Sequence, residues 1–170
     1  MSLEQLWAGW RHDYVAGASA AERRANDHEC VFCRIAASGD PSADNGVVWR
    51  SDLTLVVLNA YPYASGHLLV APVRHLSDLD ELTAPESGEL WAATRAAAAA
   101  LTTAYEPDGL NMGANLGRAA GAGIPAHLHL HVLPRWSGDT NFMTTVAGVR
   151  VMPESLPDSW RKVHGAWPSR

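Results

Sequence analysis

The stretch with the greatest chemical capacity is 127–133, where three histidines alternate with aliphatic residues as His-Leu-His-Leu-His-Val-Leu. Successive side chains of a β-strand point to opposite faces, so a strand here would place the three imidazoles on one face. Neighbouring imidazoles would then be about 6.6 to 7 Å apart, close enough to act on one small group. Neutral imidazole is a nucleophile, a proton donor and acceptor, and a metal ligand. The stretch therefore predicts either catalysis or metal binding, and we favour catalysis.

A second chemically reactive group is the pair Cys30 and Cys33, which are the two cysteines of the chain. Cysteines at this spacing chelate a metal or form a redox pair, and in a reducing compartment both are commoner than a structural disulfide. Two imidazoles from elsewhere in the fold could complete a zinc site, and no β-α-β pattern surrounds the pair. We therefore favour zinc over a thioredoxin-like redox pair.

The composition is that of a globular protein, with 170 residues, 47% hydrophobic and 18% charged. A net charge of −5 argues against nucleic-acid binding, which depends on clustered Lys and Arg. No apolar run is long enough to span a bilayer, and the N-terminal residues lack the pattern of a signal peptide. We expect a cytoplasmic protein that binds neither nucleic acid nor membrane.

The elements that must position these residues are short strands and one long helix. The patterns predict strands at 47–50, 53–58, 67–71, 110–116 and 127–133. Thr83 and Glu86 form a capping box with Pro85 in the first turn, and the alanine-rich sequence that follows favours a helix to about Tyr105. Leu90, Thr94, Ala97 and Leu101 lie on its stripe, which we assign to the sheet. This order predicts an α+β domain with a mainly antiparallel sheet.

The chain divides into an N-terminal leader at 1–29, a main domain at 30–152 and a C-terminal tail at 153–170. Trp7 and Trp10 recur at helical spacing, so the leader is either a short amphipathic helix or a partly ordered segment. A further strand is expected at 146–152, and 160–167 is expected to form a terminal helix or a tail.

The run 127–133 resembles the His-φ-His-φ-His-φ-φ motif, with φ apolar, of the histidine triad (HIT) superfamily of nucleotide hydrolases and transferases. The resemblance extends to 58–72 and 134–142, and these flanks look most like diadenosine polyphosphate phosphorylases and hydrolases. It implies a HIT-like sheet of about five strands with one long helix, with additional terminal segments. It also implies a homodimer in which the sheet is continuous across two copies.

The resemblance implies that His129 attacks the α-phosphate of a nucleoside polyphosphate and forms a nucleotidyl-histidine intermediate. A neutral imidazole avoids part of the repulsion between phosphoryl oxygens and an anionic nucleophile, and it splits the reaction into two displacements. The other ring nitrogen must then carry the proton, and a backbone carbonyl is the expected acceptor. His131 would donate a hydrogen bond to an α-phosphate oxygen or to the bridging oxygen.

Four further positions are candidates for contacts with the substrate. Asn115 takes the place of an asparagine that contacts phosphate, and the glycine-rich loop at 117–123, with Gly121 and Gly123, can point backbone N–H groups at phosphoryl oxygens. Asn59 takes the ribose-binding position, although an ordinary turn residue is an equal alternative. Relatives often carry Gln or Ser where this chain has Gly123, so either water or phosphate could be the acceptor.

In zinc-bearing relatives, the metal ligands match Cys30, Cys33, His75 and His127, and four protein ligands would make the zinc structural. The expected function is therefore an enzyme that cleaves diadenosine polyphosphates as a hydrolase or a phosphorylase. The alternative is a non-catalytic nucleotide- or metal-binding module in which the histidines and cysteines all act as ligands.

Overall fold

The computed structural model describes residues 30–139 and 153–168. The elements in chain order are α1 (Val31–Ala36), β1 (Val47–Arg50), β2 (Thr54–Leu58), β3 (Leu68–Pro72), α2 (Ala84–Tyr105), β4 (Gly109–Ala114), β5 (Leu130–Arg135) and α3 (Leu156–Gly165). Short 3₁₀ turns occupy Leu79–Glu81 and Arg118–Ala120. The predicted helix in the leader and the predicted strand at 146–152 lie outside the described residues.

The five strands form one sheet in the order β1-β2-β3-β5-β4, and each neighbouring pair is antiparallel. This confirms the predicted α+β class and the antiparallel sheet. Strand β5, which follows the glycine-rich loop, lies between β3 and β4 and therefore in the interior of the sheet. Interior strands are fixed by hydrogen bonds on both sides, which makes β5 a rigid support for His131, the last histidine of the run.

The two faces of the sheet carry different helices because the strand side chains alternate. On one face, Val56, Leu68, Val70 and Val132 pack with the buried stripe of α2. On the opposite face, a second apolar cluster joins β1, β2 and β3 to α1; its buried members are Cys30, Phe32, Val47, Leu55, Val57, Leu69 and Ala71. The long helix and the short cysteine-bearing helix therefore lie on opposite sides of the sheet.

Helix α2 begins and ends where the sequence predicts. The Thr83 side chain accepts from the backbone of Glu86, whose carboxylate accepts in turn from the Thr83 backbone N–H, so the capping box is formed. Hydrogen bonds from Arg74 and then from Thr83 lower the pKa of Glu86 to about 2. The helix ends at Tyr105, and its C-cap residue, Glu106, has a φ of 45° in the left-handed region. None of the described helices combines the length and the apolar character that a bilayer span requires.

Helix α3 covers the outer edge of the sheet at β1. The indole Nε1 of Trp160 donates to the Val47 carbonyl at 2.7 Å, and His164 Nδ1 donates to the Val48 carbonyl at 2.9 Å. Val163 is fully buried in the α2 face of the core. Covering an edge strand satisfies backbone groups that could otherwise pair with another chain. The C-terminal segment thus contains a helix that packs on the main domain, while the proposed division of the chain stays a prediction.

Two local assignments from the sequence were wrong. Strand β5 begins at Leu130, so the first two histidines of the run precede it. If the pairing of β3 with β5 continued in the same register, Leu128 would face Pro72, which has no N–H to donate. The N–H of Leu128 donates instead to the Leu76 carbonyl at 2.7 Å. Residues 34–36, expected to be in a loop, complete α1, because packing on the sheet stabilises a helix too short to form alone.

Gly66 is a position where the fold requires glycine. Its φ is +77°, and a Cβ there would lie 2.5 Å from Cε2 of Tyr105, whose hydroxyl is hydrogen-bonded to the carboxylate of Glu154. We predict that Gly66→Ala lowers the free energy of unfolding by about 1–3 kcal/mol, because it combines backbone strain with a clash. Denaturant unfolding followed by circular dichroism measures the change.

Gly88 provides the matched control, because it lies in α2 and a Cβ there meets no atom within 4 Å. Gly88→Ala should raise the free energy of unfolding by about 0.5–1 kcal/mol, since alanine is the better helix former. Equal stability of Gly66→Ala and the wild type would contradict the packing described at Tyr105.

A candidate active site beside a candidate metal centre

The histidines of the run lie on the α1 side of the sheet. His131 on β5 pairs with Leu69 on β3, and Leu69 belongs to the apolar cluster on the α1 side of the sheet. Leu128 and Val132 are instead buried on the α2 side. The side chains therefore alternate as predicted, even though regular strand geometry begins only at Leu130.

His129 is buried and held by one hydrogen bond, between its Nδ1 and the carbonyl oxygen of His127 at 2.8 Å. A carbonyl oxygen only accepts, so Nδ1 carries the proton and Nε2 keeps a free lone pair. This is the backbone contact expected from the sequence. Burial lowers the pKa of His129, which keeps the ring neutral near neutral pH. The residue thus has the tautomer and the charge of an imidazole nucleophile.

His131 is held by His67, a fully buried residue that the sequence analysis placed in a strand but did not identify as part of the site. The two rings are joined by a hydrogen bond of 2.9 Å between His67 Nε2 and His131 Nδ1. His67 Nδ1 accepts from the backbone N–H of Tyr63 at 3.1 Å, so its Nε2 carries the proton and donates it toward His131. His131 Nε2 must then carry a proton of its own, which makes His131 a donor.

The surroundings of His131 keep it neutral. Two causes lower the pKa of His131 to about 4: burial, which is the larger, and electrostatic repulsion between the charged forms of His131 and His129. The ring of Tyr63 stacks on His131 with the centroids 5.9 Å apart and the planes 13° apart, and it also contacts His67 at 4.7 Å. A neutral His131 can donate through Nε2 without carrying a positive charge.

Asn59 lies beside this histidine pair. Its Oδ1 accepts from the backbone of Tyr61 at 2.9 Å, and its Nδ2 lies 3.3 Å from Nδ1 of His67. The first contact is a side-chain turn of the kind that asparagine commonly makes. The turn alternative is therefore present in the structure, and the amide also touches the residue that orients His131.

The glycine-rich loop is partly closed on itself. The amide of Asn115 donates to the Gly121 carbonyl at 3.5 Å, and the N–H of Gly121 donates to the Arg118 carbonyl at 2.9 Å. Gly121 has a φ of 88°, which favours glycine, and Gly123 is exposed. The Gly121 N–H, expected to face phosphate, is thus used within the loop.

The four predicted metal ligands lie together at the other end of the histidine run. Cys30 Sγ is 3.3 Å from His127 Nδ1, Cys33 Sγ is 3.3 Å from His75 Nδ1, and Cys33 Sγ is 3.7 Å from His127 Nδ1. One ligand atom from each residue fits within a 4.8 Å span. A tetrahedral zinc ion at ordinary bond lengths would hold sulfur and nitrogen ligands about 3.5 Å apart.

The tautomer of His127 also fits a metal. Its Nε2 lies 2.8 Å from the carbonyl oxygen of Pro72, so Nε2 donates and the Nδ1 lone pair points toward the two cysteines. Outer hydrogen bonds of this kind orient metal-binding histidines. The residues present therefore fit a structural zinc site, and His129 is not part of the cluster.

Comparison with known proteins agrees with the resemblance found in the sequence. A sequence model of the HIT domain matches residues 40–138. The chain is 40% identical to the AP-4-A phosphorylase of Mycobacterium tuberculosis over 97% of this chain and 85% of that protein. It is 32% identical to the bifunctional bis(5′-adenosyl)-triphosphatase/adenylylsulfatase FHIT of Arabidopsis thaliana over 55% of this chain and 51% of that protein.

Among solved structures, the chain resembles a Zn-bound histidine triad family protein from Mycobacterium smegmatis, with a TM-score of 0.66 and 29% identity. The match covers 83% of this chain and 94% of that one. The domain match, the relatives and the shared fold agree with the motif at 127–133, and the chain belongs to the HIT family.

Proposed function

We propose that this protein is an enzyme that cleaves dinucleoside polyphosphates through a nucleotidyl intermediate on His129. The observation that carries the proposal is the hydrogen bond from His129 Nδ1 to the His127 carbonyl, which leaves Nε2 unprotonated. The names of the relatives in Mycobacterium tuberculosis and Arabidopsis thaliana both refer to diadenosine polyphosphates. The proposed substrate is therefore of that class.

The tautomers of His129 and His131 determine the part that each plays in the proposed reaction. The Nε2 lone pair of His129 forms a bond to the α-phosphorus while the bond to the bridging oxygen breaks, and the leaving nucleotide departs with its electron pair. The His129 ring becomes cationic, and the His127 carbonyl stabilises that charge through the Nδ1 proton. His131 donates its Nε2 proton as a hydrogen bond to the bridging oxygen, in the tautomer that His67 fixes.

Five residues are proposed to contact the substrate. Asn115 and the backbone of the loop at Gly121 and Gly123 would meet phosphoryl oxygens, which requires the loop to present N–H groups other than that of Gly121. Asn59 would meet the ribose hydroxyls, and its contact with His67 supports this proposal. His131 also serves as a substrate contact.

The acceptor is proposed to be inorganic phosphate. The support is the relative at 40% identity, which is named a phosphorylase, whereas Gly123 offers no side chain to either acceptor. Phosphate attack on the nucleotidyl-histidine would return neutral His129 and release a nucleoside diphosphate. Diadenosine tetraphosphate would then yield ADP and ATP, whereas water would yield AMP and ATP.

We predict that His129→Ala lowers turnover of diadenosine tetraphosphate on the order of a thousand-fold or more, because the covalent route is lost. Turnover is measured with and without phosphate, and the products are identified by mass spectrometry. His164→Gln is the control, since this histidine bonds to the Val48 carbonyl beneath α3. Full activity of His129→Ala would refute the mechanism, and AMP as the product in the presence of phosphate would refute the phosphorylase assignment.

We also propose a structural zinc ion on Cys30, Cys33, His75 and His127. The support is the 4.8 Å cluster, the His127 tautomer and the zinc bound by the relative from Mycobacterium smegmatis. When bound, zinc would tie α1 to the loop after β3 and to the histidine run. It would supply structural rigidity rather than a site for substrate, because four protein ligands close its coordination.

The zinc proposal predicts one zinc per chain in purified protein, measured by elemental analysis. Cys33→Ser should lose most of the metal, because a hydroxyl is a poor zinc ligand, whereas His129→Ala should keep it. Loss of metal in His129→Ala would instead favour the alternative of a non-catalytic metal-binding module that uses all of these histidines.

A homodimer is proposed through the edge strand β4. This strand is largely exposed and hydrogen-bonded to β5 on one side, and Met112 on it is 51% exposed. Exposed edge strands pair readily with another strand, and a second copy meeting across a two-fold axis would continue the sheet. Charge at Met112 should oppose such pairing, because the two copies would meet like charges near the axis.

We predict that the wild type sediments as a dimer and that Met112→Glu shifts it toward monomer in analytical ultracentrifugation. Leu79→Glu is the control, because this exposed residue lies in the turn before α2. A monomeric wild type would refute the proposal, as would equal sedimentation of Met112→Glu and the control.

A further inference from the structure

One phenyl ring touches both the candidate metal centre and the candidate nucleophile. Phe32 is 1% exposed and lies in α1 between the two cysteines. Its ring centroid is 5.1 Å from that of His127 and 5.0 Å from that of His129, with interplanar angles of 49° and 38°. Aromatic contacts at these separations are favourable and restrict the orientation of both rings.

The position of Phe32 depends on what holds α1. The helix has six residues, and its N-cap, Cys30, makes no side-chain capping hydrogen bond. A helix of this length does not persist without tertiary contacts. The guanidinium of Arg50 holds its C-terminal end by donating to the carbonyls of Ala36 and Gly39 at 2.8 and 3.1 Å. At the N-terminal end, Cys30 and Cys33 lie in the four-residue cluster with the two histidines.

His129 needs support beyond its hydrogen bond. The contact from Nδ1 to the His127 carbonyl fixes one ring atom, but the plane of an imidazole can still tilt about a single hydrogen bond. The ring of His131 contacts it at 5.1 Å with the planes 63° apart, and Phe32 packs on it at 38°. Phe32 therefore links His129 to the metal cluster through ring packing, in addition to the hydrogen bond to the His127 carbonyl.

We propose that Phe32 is a positioning residue that transmits the state of the metal site to His129. With the metal bound, the two cysteines fix α1, and the Phe32 ring holds the His129 plane in the orientation for attack. Without it, the N-terminal end of α1 loosens, and His129 loses the packing that directs Nε2. This inference rests on the proposed function, because it assigns Phe32 an effect on turnover at His129.

The test combines a substitution with metal removal. Phe32→Leu keeps an apolar side chain but removes the flat ring, and Phe32→Met is a second variant with a side chain similar in volume to leucine. Ile35→Val is the matched control, because Ile35 lies on the same helix and packs in the same cluster. Each protein is assayed with diadenosine tetraphosphate and inorganic phosphate, as zinc-loaded enzyme and after chelation. Zinc content and the ¹⁵N resonances of the His129 ring are measured on the same samples.

We expect zinc-loaded Phe32→Leu to keep its zinc, to lose kcat by about ten- to a hundred-fold and to change little in KM, because misplacement of a reacting group by about 1 Å has effects of that size. Its His129 resonances should show mixed tautomers. Chelation should lower kcat in the wild type and in Ile35→Val but add little to the loss in either Phe32 variant, because the two perturbations act through one contact.

Three results would overturn the inference. The first is that both Phe32 variants have the same kcat as Ile35→Val. The second is that the Phe32 variants show a raised KM with an unchanged kcat. The third is that chelation lowers kcat as much in the Phe32 variants as in the wild type. Absence of turnover in wild-type protein would count against the proposed function instead. In that case, the tautomer comparison between loaded and chelated protein still decides the positioning role.

Discussion

The antiparallel pairing of β3 with β5 is the constraint on which the site depends. It places the residue before β3, His67, beside His131, and it places the carbonyl of Pro72, at the end of β3, beside His127. These contacts join residues more than fifty positions apart, so no local segment could make them. Because β5 is hydrogen-bonded on both sides, His131 is held on a support that does not need to rearrange during catalysis, and His127 and His129 directly precede that strand.

Fixed hydrogen bonds give each histidine a different role. His127 donates from Nε2 to Pro72 and turns Nδ1 to the cysteines, whereas His129 donates from Nδ1 to the His127 carbonyl and keeps Nε2 free. His131 accepts at Nδ1 from His67 and therefore donates at Nε2. Three chemically identical side chains thus acquire hydrogen-bond patterns that suit the proposed metal ligand, nucleophile and donor, and burial lowers the pKa of each.

The metal cluster and the nucleophile are separate yet adjacent. His127 belongs to the cluster and also supplies the carbonyl that orients His129, while Phe32 touches both rings. Under the proposal made for Phe32, this arrangement would let a structural metal influence chemistry without contacting the substrate. It also argues against a module in which every histidine is a ligand, because His129 lies outside the cluster in the described part of the chain.

The sequence by itself determined what depends on short-range periodicity and local capping. Alternation separated the histidines from Leu128 and Val132, the capping box at Thr83 located α2, and residue types and family resemblance identified the four members of the metal cluster. Only the tertiary structure decided the rest. It revealed His67 as the partner of His131, formed α1 by packing, and set the start of the regular strand at Leu130 because Pro72 cannot donate. Those features arise from contacts between distant segments, and the patterns of a single segment carry no record of them.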